Sequence, residues 1–145
     1  MNIIKEIKLS YSKNGIENIK ITDSNSAYQI FLDNWDMDTI ELQEEFKVLL
    51  LNRANIILGI YNLSKGGVSG TMVDSKLLLA SAIKANASSI IIAHNHPSGN
   101  LKPSECDKRL TKKIKEGAKL LDITLLDHLI VTKDGFYSFI DDDEL

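Results

Sequence analysis

A single cysteine, Cys106, serves the whole 145-residue chain. It excludes an intrachain disulfide and a cysteine-rich zinc finger. No apolar run approaches the roughly 20 residues that span a bilayer. The opening Met1-Asn2-Ile3-Ile4-Lys5-Glu6 becomes charged at once, so no secretory leader is read, and a cytoplasmic location is the default expectation. Charge of one sign is also scarce: the net charge of −3 speaks against a nucleic-acid binder that uses its whole surface, while leaving room for a local basic face. Repeats, low-complexity stretches and linkers are absent. What remains is 43% hydrophobic and 26% charged, an ordinary soluble globular composition. The length suits one domain with a real core, so residues 1–145 are expected to form a single unit.

Residues 3–21 hold two alternating apolar runs around Lys13-Asn14-Gly15, which predicts a β-hairpin. Asp23-Ser24-Asn25-Ser26 supplies caps for a short helix whose face carries Ala27, Ile30, Phe31 and Trp35. Trp35 is expected to be a packing residue. Residues 33–38 are acidic and loop-like. Residues 46–52 read as a central strand, apolar on both faces, and 55–64 as its antiparallel partner across Arg53-Ala54. Gly66, Gly67 and Gly70 follow without the Lys-Ser/Thr ending of a phosphate-binding loop. They read as a flexible loop or as one wall of a site. Asp74 caps a helix over 75–86, and 87–93 is a strand. A helix over 104–121, a strand over 123–131, a turn at Lys133-Asp134-Gly135 and a last strand over 136–140 complete the pattern. The acidic tail 141–145 is expected to fray. Helices alternating with strands predict an α/β fold, a mixed sheet flanked by helices.

Both prolines and two of the three histidines fall in residues 93–107. His94 and His96 are one residue apart, so in extended chain both imidazoles project to one side and can converge on a cation. Zinc takes nitrogen and carboxylate donors, and a catalytic site keeps three protein ligands. Asp107, eleven positions after His96 in the first turn of a helix, is the third candidate. Plainer roles compete. The histidines suit hydrogen-bonded positions at a strand end, and Asp107 suits the last place of a Ser104-Glu105-Cys106-Asp107 capping box. Capping and ligation are expected to contend for the same carboxylate.

The string His94-Asn95-His96-Pro97-Ser98-Gly99, with Pro103-Ser104 and Asp107, resembles the JAMM (JAB1/MPN+) metalloprotease motif, and its longer form resembles the RadC branch. Gly67-Val68-Ser69-Gly70-Thr71, Ala85-Asn86-Ala87, Leu126-Asp127-His128-Leu129-Ile130 and Tyr137-Ser138-Phe139 are similar to RadC as well, so the likeness covers about residues 41–140. It implies a cytidine-deaminase-like α/β domain and a zinc hydrolase acting on an amide or isopeptide bond. His94, His96 and Asp107 would hold Zn2+. Ser104 would stabilise the oxyanion or the bound water, and an upstream Glu would move the proton. RadC sequences commonly carry Glu-x-Phe, which selects Glu44 ahead of Phe46 over Glu45 and Glu41. Strand alternation also puts Glu44 on the face of Phe46, Val48 and Leu50, and Glu45 with Lys47 on the other.

Full-length RadC proteins usually carry an N-terminal helix-hairpin-helix region associated with DNA binding, whereas residues 1–40 read as a hairpin and a short helix. Two rival readings stand beside the hydrolase: a non-catalytic binding module, and a DNA-repair-associated or nucleic-acid-processing protein using the basic helix face of residues 108–119. A deaminase is disfavoured, because His-x-Glu and Pro-Cys-x-x-Cys are lacking. His128 is expected to form a structural pair with Asp127. Cys106 points about 100° around the helix from Asp107 and is not expected to ligate. The peptide or protein substrate and the oligomeric state are left open.

Overall fold

The computed structural model describes residues 4–6, 17–66 and 73–145. Alternating apolar residues build a five-stranded mixed sheet ordered β2-β1-β3-β4-β5, with three helices: α1 (Ser24–Asp33), β1 (Glu45–Leu51), β2 (Ile57–Lys65), α2 (Ser75–Lys84), β3 (Ser89–Asn95), α3 (Glu105–Leu120), β4 (Thr124–Val131) and β5 (Phe136–Ser138). The expected α/β architecture is therefore present. β1 is an interior strand between β2 and the central β3, antiparallel to both, and all seven of its residues are buried. β3 and β4 run parallel, joined by the crossover through α3. The expected hairpin over 3–21 lies largely outside the described residues. Of its second run, Lys20 forms an isolated antiparallel bridge with Ile56.

Local chemistry sets the element ends. Asn52 Oδ1 accepts the Ala54 and Ile56 amides at 2.9 and 3.0 Å, tying the β1–β2 turn, where Asn55 adopts φ 61°. Asp23 and Ser26 form a reciprocal capping box at α1, and Asp74 caps α2. The sheet separates two apolar cores. Val48, Leu50, Ile90 and Ile92 pack with Leu78, Ala82, Ile114 and Ala118 of α2 and α3. Leu49, Leu51, Ile91 and Ala93 pack with Ala27, Tyr28 and Phe31 of α1. Trp35 is a packing residue in this second core, as expected.

Element ends shift by one or two residues from the sequence reading, and the C-terminal end differs in two ways. The last strand stops at Ser138: the Phe139 amide makes the final ladder bond, to the His128 carbonyl, and the Ile140 amide turns to Asp127 Oδ1 instead. The tail is held rather than frayed: the Glu144 amide reaches the Phe139 carbonyl at 2.8 Å, Lys115 Nζ donates to the Leu145 carbonyl oxygen at 3.0 Å, and Leu145 packs on the core. No helix among the described residues is long and apolar enough to cross a membrane.

The two-core arrangement makes Leu49, with no exposed surface at the middle of β1, a sensitive position. Leu49→Ala is expected to destabilise the fold by about 2–5 kcal/mol through lost burial and a residual cavity. Asp23→Ala, which removes only a helix cap, is expected to cost about 1 kcal/mol. Urea unfolding of both variants measures the ratio.

Candidate metal centre

Side-chain alternation decides what each residue of the His94-Asn95-His96 stretch can reach. His94, at the end of β3, shares the face of Ile90 and Ile92 and so looks towards α3. Asn95 takes the opposite face. His96 follows just past the strand and returns to the first side. The capped start of α3 stands over this strand end. His94 Nε2 lies 3.0 Å from His96 Nε2 and 3.3 Å from Asp107 Oδ1, and His96 Nε2 lies 3.2 Å from Asp107 Oδ2. One ligand atom from each of the three residues fits within a 4.8 Å group, so His94, His96 and Asp107 can hold a metal ion. A tetrahedral zinc site with bonds of about 2.0–2.1 Å separates its ligand atoms by about 3.3 Å. The two imidazole nitrogens, 3.0 Å apart, are close to that separation, and each faces a different oxygen of Asp107, so a metal would draw one carboxylate oxygen towards both.

The donor chemistry matches too. The His96 Nδ1 lies 2.6 Å from the Asn100 carbonyl, which only accepts, so Nδ1 carries the proton and Nε2 of the neutral ring presents a lone pair. A lone pair aimed at a carboxylate needs a positive charge between them, a proton or a metal. In the metal-free protein a proton fills that role. Burial works against charge on His96, but the hydrogen bonds with Asp107 and Asn100 and the nearby negative charges of Asp107 and Glu44 outweigh it and raise its pKa. Burial would likewise raise the Asp107 carboxyl, yet the two imidazoles that face it and the Ser104 amide that donates to it hold it well below the usual carboxylate range.

Capping leaves the Asp107 carboxylate facing both histidines. Asp107 Oδ2 accepts the Ser104 amide at 2.8 Å and Ser104 Oγ accepts the Asp107 amide at 3.0 Å, so the capping box is complete. The same carboxylate still presents Oδ1 to His94 and Oδ2 to His96. Each carboxylate oxygen has two lone pairs, and the cap locks the rotamer that aims them. Ser104 Oγ accepts within the cap, and its hydroxyl proton remains available to donate.

The negative charge of Glu44 contributes to raising the His96 pKa. The Glu44 carbonyl accepts the Gly66 amide at 2.8 Å. Glu45 faces the other way, with Oε1 4.0 Å from Lys47 Nζ, and Glu41 lies 3.7 Å from Lys133 on the surface. Asn95, wholly buried, anchors the stretch that carries Glu44. Its Nδ2 donates to the Ile40 and Gln43 carbonyls at 2.7 and 2.9 Å, and its Oδ1 accepts the Glu45 amide at 2.7 Å. Cys106 is exposed, accepts from Arg109 and stands outside the metal group. The glycine-rich residues 67–70 lie outside the described residues.

His128 departs from its expected role. Asp127 binds only the backbone amide of His128, and also accepts from Ser138 Oγ and the Ile140 amide. The His128 ring points to the other face, with Nε2 2.8 Å from His94 Nδ1 and Nδ1 2.6 Å from Thr111 Oγ1. Alternation within β4 separates Asp127 from the His128 ring and could have signalled this. Thr111 carried no signal beyond its place one turn after Asp107.

A mixed sheet with helices on both faces, and two imidazoles and a carboxylate gathered at a strand end, defines an α/β domain with a metal-capable centre. The family model for the RadC-like JAB domain matches residues 21–145, and the chain belongs to that family. Its relatives include a UPF0758 protein of Flavobacterium johnsoniae, 46% identical over 126 residues, covering 85% of this chain and 52% of that protein. A UPF0758 protein of Porphyromonas gingivalis is also 46% identical, over 84% of this chain and 53% of its own length. The UPF0758 protein SH1266 of Staphylococcus haemolyticus is 34% identical over 91% of this chain and 57% of its own. The chain thus spans about half the length of these relatives.

Because Asn95 satisfies three backbone groups at once, Asn95→Ala is expected to cost at least about 2 kcal/mol in urea unfolding. The same variant should speed amide exchange at Glu45. Unchanged exchange there would separate Asn95 from the placement of Glu44.

Proposed function

We propose that the chain is a zinc-dependent hydrolase of amide or isopeptide bonds. The observation that carries the reading is the convergence of His94 Nε2, His96 Nε2 and the Asp107 carboxylate at 3.0 to 3.3 Å. His94, His96 and Asp107 would hold the zinc, which would supply Lewis-acid activation of water and of the scissile carbonyl. Glu44 acts as general base, taking the proton of the attacking water and delivering it to the leaving amine. Its half-buried position and its electrostatic reach to His96 support this role over Glu45 and Glu41. Ser104 donates its hydroxyl proton to the oxyanion as the carbonyl becomes tetrahedral. The side chains of His96 and Asp107 keep 14% and 17% of their surface exposed while His94 keeps 4%, which suits a substrate arriving over His96.

Elemental analysis of the purified protein is expected to find one zinc per chain, and its absence would overturn the reading. With a library of peptides and isopeptides as substrates, Glu44→Gln should lower turnover by about 10²–10⁴-fold at unchanged zinc content. Turnover equal to the unmodified enzyme would remove Glu44 from the chemistry.

A further inference from the structure

We infer that Thr111 and His128 form a one-directional hydrogen-bond relay that selects the metal-binding tautomer of His94, which makes both of them positioning residues. The inference rests on the metal reading above and extends it to side chains outside the ligand set.

His128 has no exposed surface, and its ring is stacked on Phe139 with centroids 4.6 Å apart and planes 7° from parallel. Without water, both ring nitrogens need partners in the protein. Each has one: Nε2 meets His94 Nδ1 at 2.8 Å and Nδ1 meets Thr111 Oγ1 at 2.6 Å. Neither partner is a carboxylate that would offset a buried positive charge, so the ring is neutral, with one donor nitrogen and one acceptor.

The direction follows from the far end. Thr111 Oγ1 lies 2.7 Å from the Asp107 carbonyl, one helical turn back, and a carbonyl only accepts. The single hydroxyl proton of Thr111 is committed there, so Oγ1 accepts from His128 Nδ1–H. His128 Nε2 is then the acceptor, and His94 Nδ1–H donates to it. His94 Nε2 is left as a bare lone pair, facing His96 Nε2 and Asp107. Running the chain the other way breaks the Thr111–Asp107 bond and places a proton on His94 Nε2, where it blocks ligation. The His96 tautomer is set by the Asn100 carbonyl, an acceptor with no second state. His94 lacks such a partner. Its neighbour is an imidazole that can face either way, and the threonine resolves the choice. The relay begins at one ligand and ends on the backbone of another, so a single chain of bonds orients both.

Thr111→Val keeps the side-chain shape and deletes the acceptor for His128 Nδ1–H. Nitrogen-15 NMR of the imidazoles at pH 8 in the metal-free protein reads the tautomers directly. The unmodified protein is expected to show His94 as Nδ1–H, and Thr111→Val to shift it towards Nε2–H. Zinc affinity from chelator competition should fall about 10–100-fold in Thr111→Val and recover in Thr111→Ser, which restores the hydroxyl. His94 found as Nε2–H in the unmodified protein would overturn the relay, even if the valine variant did not fold. Unchanged zinc affinity in a folded Thr111→Val would do the same, as would no recovery in the serine variant. If the unmodified protein binds no zinc, the metal reading fails instead, and the tautomer measurement still decides the relay.

Discussion

The Asp107 carboxylate joins two constraints that the rest of the structure serves. It closes the cap of α3 by accepting the Ser104 amide at 2.8 Å, and it faces two imidazole nitrogens at 3.2 and 3.3 Å. For both to hold, the start of α3 must stand over the C-terminal end of β3. The parallel pairing of β3 with β4 brings this about: the connecting helix must cross back over the sheet, and its N-terminus begins where the strand ends. The cap does more than start the helix. It fixes the rotamer of a candidate ligand, so loss of Ser104 would disturb the metal-capable centre as well as the helix end.

The second constraint is the alternation of one strand. His94 and His96 look to α3, while Asn95 between them looks to the α1 face and ties down the segment ending at Glu45. One tripeptide therefore sets the two imidazoles and, through backbone bonds, the acid proposed to handle the proton. Glu44 lies about fifty positions upstream in sequence, yet its segment is fastened to the residue between the two histidines. Phe46 pairs with His94 across β1 and β3, and its ring stacks against the imidazole at 6.0 Å, closing the centre on that side.

Much of this was legible in the residues. A His-x-His spacing at a strand end has one geometric meaning, because alternation is a property of any strand, and the capping residues before α3 placed Asp107 in a first turn. The part that was not legible depends on register. His128 meets His94 because β3 and β4 pair in parallel with a shift between Ile90 and Ile91, which no local pattern announces. Thr111 looks like any helical threonine until β4 is placed beneath it. That the Asp107 carboxylate caps α3 and faces both histidines at once follows from its two oxygens and from where α3 begins, which the spacing alone does not show. The tail was read from its acidity alone, and its docking depends on Lys115 and on an apolar terminal residue.

Membership of the RadC-like JAB domain family gives the fold and the metal-capable centre, and the proposed chemistry depends on what that centre binds. The most direct measurement is anomalous diffraction at the zinc edge from crystals grown with zinc. The account predicts a single strong peak about 2.0–2.2 Å from His94 Nε2, His96 Nε2 and an Asp107 oxygen. No peak at that point, or zinc bound there with His94 turned away, would contradict it.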